Sequence, residues 1–379
     1  MIKNLTYREL ALVLRSVFDP GENEKDFTIL VDLPTASIPD TPVWLDRRRM
    51  SVEWFSMIEA RAADWPFQSF NFAVYENVGS NNAELPASVE IADSRPGRGA
   101  ELPSGKIPLA ELLGRSSVVL SPTQFSATAP LKLLARMHGF RGATLPNFQR
   151  SMVPALRLDY EAVDARVRQV KQRMDEAEGA DLTLVVGGKR YGIFLDLRHR
   201  TGSASGGLMR EPGVVANLPS GEAYIVPYEG ERKGDRSQTE GDLPVQFRDE
   251  IVVFHVRENR VSEISSSGPE SDKQRWKLRE EAAYGNLAEL GIGVLGEWGI
   301  SAVGSTLLDE KLGLHLAFGR SDHFGGATGP RAFKNAARVV HVDWVYVPSI
   351  QPKISVDALT FRYGDGSTEL IMHANQIII

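Results

Sequence analysis

The chain has 379 residues, 42% hydrophobic and 24% charged, which exceeds one ordinary core and points to about two domains. A net charge of −6, with no basic run interleaved with aromatics, argues against a nucleic-acid-binding surface. No apolar stretch approaches the roughly 18 residues of a membrane span, and zero cysteines exclude disulfides, thiolate catalysis and sulfur-ligated zinc.

The N-terminus reads as the start of an amphipathic helix and not as a signal peptide, which with the cysteine count fits the cytoplasm. Leu10, Val13, Leu14 and Val17 recur at helical spacing, and 27–33 is a short apolar strand. The Asp46-Arg-Arg-Arg49 run is read as the solvated coat of a helix end. A helical pattern over 50–63 leads into 69–75, which alternates as a half-buried strand does. Residues 78–108, rich in Gly, Pro, Ser and Asn, are expected to form a long surface excursion. A strand follows at 117–120, then a helix with Thr128 as its N-cap and Pro130 in the first turn. This alternation predicts an α/β N-terminal domain with a largely parallel sheet over residues 1–179. Its last helix spans 159–179, with Val163, Val167 and Val170 on one face and Gly179 as the stop.

Beyond 180 the character becomes α+β and largely β. Residues 182–197 read as a hairpin turning at Gly187-Gly188. Strand-like runs recur at 222–228, 250–256, 314–318, 339–347 and 368–373, with one helix at 270–284. The charged, glycine-bearing run 229–248 is expected to be a mobile loop.

Residues of metal-ligand type are scattered through this second half, each in an unusual phrase. Glu222 ends Asn217-Leu-Pro-Ser-Gly-Glu222, and Glu289 sits between Ala288 and Leu290. Glutamate is rarely fully buried unless paired or ligating, so such apolar flanks single both out. In the phrase containing His315, Leu314 and Leu316 face one way, while Gly313, His315 and Ala317 face the other. His341 and Asp343, two apart on a strand, project from one face and offer imidazole and carboxylate together. Of the remaining histidines, His138 suits a helix C-terminus, His255 an alternating strand, and His373 has no neighbouring ligand type. Singly, each feature also fits an ordinary structural role.

In order, the four phrases resemble the thermophilic metallo-aminopeptidase family, the group of aminopeptidase T and aminopeptidase S. The resemblance is good over 210–345 and loose over the first 180 residues. It implies that Glu222, Glu289, His315, His341 and Asp343 hold a pair of divalent ions. It also implies an N-terminal α/β domain, a C-terminal metal-binding domain, which the change of character at 180 places over 180–379, and a homodimer. The family's peptidases place a catalytic tyrosine shortly after the histidine phrase, where this chain has Gly319-Arg-Ser-Asp-His323. His323 is the residue there able to supply a proton or stabilise an oxyanion. The fold is shared with dihydroxypyridine ring-cleaving dioxygenases, which use one non-haem iron.

The leading expectation is an aminopeptidase-like hydrolase of a small or short-peptide substrate, loaded with zinc, cobalt or manganese. In it Glu289 acts as general base or bridging carboxylate, its apolar flanks raising its pKa towards neutrality. One alternative is an iron(II) oxygenase with His315, His341 and Asp343 as its triad and His323 as an acid–base partner. The other is a non-catalytic accessory protein that uses 78–108 and 229–248 as partner surfaces. Weaker candidates are Arg198, His199 and Arg200 as a clamp for a substrate carboxylate, with Asn217 and Asn286 orienting the glutamates.

Overall fold

The computed structural model describes residues 4–92 and 103–379. It divides into two compact units, one of residues 1–164 with 207–220 and one of residues 165–206 with 221–379.

The first unit is built on a seven-stranded sheet. Five strands run parallel: Val215–Asn217, Arg141–Thr144, Ser116–Ser121, Asp26–Leu33 and Phe70–Glu76. The Asp26–Leu33 strand lies inside the sheet and is buried on both faces, which is why its sequence is a nearly unbroken apolar run. The expected excursion supplies two more strands, Ser88–Ala92 and Pro103–Pro108, paired antiparallel at the sheet edge. Residues 93–102 of that run lie outside the described residues.

Three readings of this unit change. The second helix is Pro42–Glu59, capped by the Thr41 side chain. Arg47 and Arg48 therefore fall in its middle, and both are buried where solvated arginines were expected. Arg47 donates to the Phe148 carbonyl, Gln124 and Asn147, while Arg48 forks onto Asp40. The helix of Pro130 begins at Thr128 with Ala127 in the N-cap position and no side-chain cap, the Thr128 hydroxyl bonding Thr144 and Asn217 instead.

The second unit carries two antiparallel sheets, of eight and five strands. The hairpin turning at Gly187-Gly188 forms as read, pairing Ala177–Val186 with Lys189–Asp196. The preceding helix ends at Glu176, and the chain enters that first strand without a glycine stop. Gly179 lies within the ladder, where a Cβ would fall 2.5 Å from the Phe194 ring.

The expected loop at 229–248 is also corrected. Its first part is a turn closed by the Tyr228 hydroxyl, which donates to the Asp235 carbonyl and accepts from the Arg232 N–H. Its second part is the strand Glu240–Phe247, paired along its whole length with Glu250–Arg257. Gly241 is what lets this strand approach the hairpin. It opposes Ile193 at φ +144°, and a Cβ there would fall 2.5 Å from the Ile193 Cα and onto the Gly192 carbonyl. Backbone cannot yield as a side-chain tip does. Gly241→Ala is expected to cost about 2–3 kcal/mol and to lower Tm by about 5 °C or more in a thermal melt.

Candidate metal centre

The five-stranded sheet of the second unit runs in the order His341–Val345, Leu314–Gly319, Leu287–Gly293, Glu222–Ile225, Ser203–Ser205. Residues directly opposite on antiparallel strands project from the same face. Glu222 opposes Gly293 and Ser205, and Tyr224 opposes Gly291 and Ser203. Gly291 in turn opposes His315, and Glu289 opposes Ala317. Across the last pair, Ala317 opposes Asp343 and Gly319 opposes His341. One face thus collects Glu222, Tyr224, Glu289, His315, His341 and Asp343 among glycines and an alanine. Gly291 is what admits the His315 ring, since a Cβ there would fall on the imidazole.

The polar atoms converge on Glu289, which is 4% exposed. Its Oε1 lies 3.3 Å from His315 Nε2, and its Oε2 lies 3.0 Å from His341 Nε2. His341 Nε2 is also 3.2 Å from Asp343, while its Nδ1 donates to the Arg320 carbonyl at 2.7 Å. That second hydrogen bond fixes the ring with Nε2 turned to the carboxylates, as a ligating histidine requires. Two groups of ligand atoms result, Glu222–Glu289–His315 and Glu289–His341–Asp343, each within 4.8 Å. Glu222 Oε2 is buried without a hydrogen-bond partner, with His315 Nε2 3.6 Å away. A buried carboxylate oxygen with an unused lone pair, inside a set of nitrogen and oxygen donors, fits a divalent cation.

Burial works against every charge in this site, and partners decide the outcome. For Glu289 burial alone would raise the pKa, as its apolar flanks suggest. The hydrogen bonds and charges of His315 and His341 outweigh it and hold the carboxyl well below the usual range. The expectation of a glutamate poised near neutrality is therefore corrected: Glu289 is an anion shared by two imidazoles. Burial likewise opposes protonation of His315, but Glu289, Glu222 and Asp343 raise it to about 9. His341 is raised for the same reason, by Asp343 and Glu289. His323 behaves oppositely, since burial, then the charges of His341 and Arg320, lower it to about 4. Its ring stands 5.3 Å from that of His341.

Three neighbours were not legible in the sequence. Lys311 is buried against the centre, its Nζ 2.6 Å from Glu222 Oε1 and bonded also to Glu310. The signal available was only an Asp-Glu-Lys run, which reads as a surface turn. Tyr224 packs its ring 4.7 Å from that of Phe324, and burial with the charges of Glu222 and Glu289 raises its pKa. Glu229 organises the 321–328 loop, accepting from Ser321, Asn286 and the Ala327 and Thr328 amides.

Other candidates are spent on structure. Asn286 serves Glu229 and the Gly319 carbonyl, not Glu289, and Asn217 is held by Thr128 and Thr144. The expected clamp is occupied internally at two of its three positions, Arg198 binding Asp196 and Asp235 and His199 binding Asp235, while Arg200 binds Glu231 through Nη1 and leaves its buried Nε and Nη2 without a hydrogen-bond partner. His138 closes a helix ahead of Gly139, His255 meets Asp242, and His373 meets the Asp357 carbonyl.

No family model and no curated protein matches the chain. Among solved structures it is similar to 2,5-dihydroxypyridine dioxygenase from Pseudomonas putida KT2440, with a TM-score of 0.59 at 13% identity, over 99% of this chain and 98% of that one. It is also similar to AmpT from Thermus thermophilus, with a TM-score of 0.55 at 13% identity, over 98% of each chain. The likeness is one of fold: an α/β and β-rich architecture carried by enzymes of two different chemistries. Among the described residues no helix is long and apolar enough to cross a membrane.

Gly291→Ala is expected to displace His315 and weaken divalent-metal affinity by about 10–100-fold, read by calorimetric titration. In metal-free protein, His315 stays protonated to about pH 9 when folded but only to 6.5 when unfolded. Its stabilisation is thus complete below pH 6.5 and lost as pH rises through 9. His323, lowered to about 4, destabilises below its ordinary value of 6.5. Tm of the chelator-treated protein should fall as pH rises above 6.5 towards 9, with Glu310, raised to about 8, adding to the fall, and His315→Gln should flatten it.

Proposed function

We propose that the chain is a metal-dependent hydrolase cleaving the amide bond of a small aminoacyl or short-peptide substrate. The supporting observation is the central position of Glu289, whose two oxygens reach one histidine each. The donors therefore form two clusters sharing a carboxylate, and not an isolated face of two histidines and one carboxylate. Glu222, Glu289, His315, His341 and Asp343 are the ligands in this reading, and zinc, cobalt or manganese suits them. A bound divalent ion supplies Lewis acidity, polarising the scissile carbonyl and bringing the pKa of water down to about 7.

The chain's residues supply the rest. His323 stands beside His341, its ring 5.3 Å away, and burial with the charges of His341 and Arg320 holds it neutral at pH 7, a hydrogen-bonding group next to the centre. Tyr224, its pKa raised, keeps its proton and remains a hydrogen-bond donor from the neighbouring strand. Gly291 admits the His315 ring, Gly293 the Glu310–Leu312 turn and Gly319 the Val340 carbonyl, so the small residues bring the ligands together on one face. The substrate class follows the likeness to AmpT. The likeness to the dioxygenase, and the absence of tyrosine at 319–323, favour a second reading: iron(II) at His315, His341 and Asp343, cleaving a dihydroxypyridine-like ring.

Protein loaded with zinc, cobalt or manganese is expected to hydrolyse aminoacyl anilides or dipeptides, and a chelator to abolish the activity. His323→Ala should lower kcat by about 10-fold with metal content unchanged, the scale of one lost hydrogen bond to the reacting groups. Glu289→Ala and His341→Ala should lose metal; unchanged metal content in both would overturn the assignment. Oxygen uptake with iron(II) and a dihydroxypyridine, without any hydrolysis, would establish the second reading instead.

A further inference from the structure

Lys311 lies in the candidate centre itself. Its side chain is 2% exposed, and its ammonium bonds Glu222 and Glu310. The short turn Glu310–Leu312 delivers it there. That turn follows Asp309, whose carboxylate accepts from the Val303, Gly304 and Ser305 amides. The approach depends on Gly293, the register partner of Glu222, where a Cβ would fall 2.5 Å from the Glu310 carbonyl and the Leu312 nitrogen. The lysine is thus seated by backbone on both sides and is not a surface chain folded inward.

We propose that the Lys311 ammonium, bound to Glu222 at the edge of the Glu222–Glu289–His315 cluster, acts as its fixed cation, so that the chain takes one divalent ion, at Glu289, His341 and Asp343, and not two. The proposal rests on the metal-dependent reading above and narrows it. A divalent ion ligated by Glu222 stands about 2 Å from a carboxylate oxygen. The ammonium already stands 2.6 Å from Glu222 Oε1, so the two cations would face each other across one buried carboxylate. The ammonium takes one oxygen of Glu222 and leaves Oε2 without a hydrogen-bond partner, so Glu289 and Asp343 are the carboxylates with no built-in cation to compete with a divalent one. A protonated amine offers charge but no lone pair, and so contributes field without a coordination position.

The test is titration of the full chain with cobalt(II), read by visible absorption and by metal analysis after gel filtration. Wild type and Lys311→Arg are expected to saturate at one equivalent per chain, and Lys311→Met at two. Because Lys311→Met strands two buried carboxylates, Lys311→Met with Glu310→Gln, which strands one, is titrated beside it and should also take two. Two equivalents in the wild type, or one in both methionine variants, would overturn the proposal and leave the metal-dependent reading standing. No binding in the wild type would overturn both.

Discussion

The structure of the candidate centre depends on one buried carboxylate. Glu289 sits on the central strand of a five-stranded sheet, 4% exposed, with an imidazole on each oxygen. An unpaired carboxylate in that position would be prohibitively expensive, and it becomes tolerable only when charge-assisted hydrogen bonds replace its water. Its two imidazoles then carry constraints of their own. His341 must be oriented through its other nitrogen, which the Arg320 carbonyl does, and His315 must have space, which Gly291 provides. Each small residue on this face answers a need that begins at Glu289.

Which face Glu289 occupies is decided by a local irregularity. The ladder pairs Leu287 with Phe318 but Glu289 with Ala317, so one extra residue is accommodated between them. A bulge of this kind reverses the in–out alternation on one strand and re-aims a side chain. Leu287 and Phe318 are buried in the core, whereas Glu289 faces His315, His341 and Asp343. With strict alternation Glu289 would oppose Leu316 and project away from its partners. Bulges next to functional residues recur for this reason, and here the bulge converts an apolar strand into one that presents a single charge.

What was legible in the sequence were features whose cause is local. His341 and Asp343 share a face because strand side chains alternate, and the leucines around His315 show the same period. The Gly187-Gly188 hairpin announces itself through two positive φ angles that glycine tolerates best. What was not legible arises between distant segments. Apolar flanks correctly marked Glu289 as buried, but the direction of its pKa comes from imidazoles on other strands. Arg47 and Lys311 each lie in charged runs that look solvated; their burial is set by the Phe148 carbonyl in one case and by Gly293 in the other. The Glu240–Phe247 strand has a loop's composition and is ordered by its partner, through pairing that a single sequence does not display.

The same consideration bears on how one scaffold carries two chemistries. At 13% identity, similarity to a dioxygenase and to AmpT reports the arrangement of strands and not the reaction. What can differ at constant backbone is the charge held on the sheet face. Two imidazoles and a carboxylate suit a lone iron, whereas additional carboxylates raise the positive charge the site must accommodate. This chain has the additional carboxylates, Glu222 and Glu289, but also a buried ammonium against one of them. Part of the Glu222 charge is therefore met inside the chain, by an ammonium that Glu310 also shares. Counting ligand residue types overstates the cation demand of such a centre; counting them with the cations already built into the chain does not.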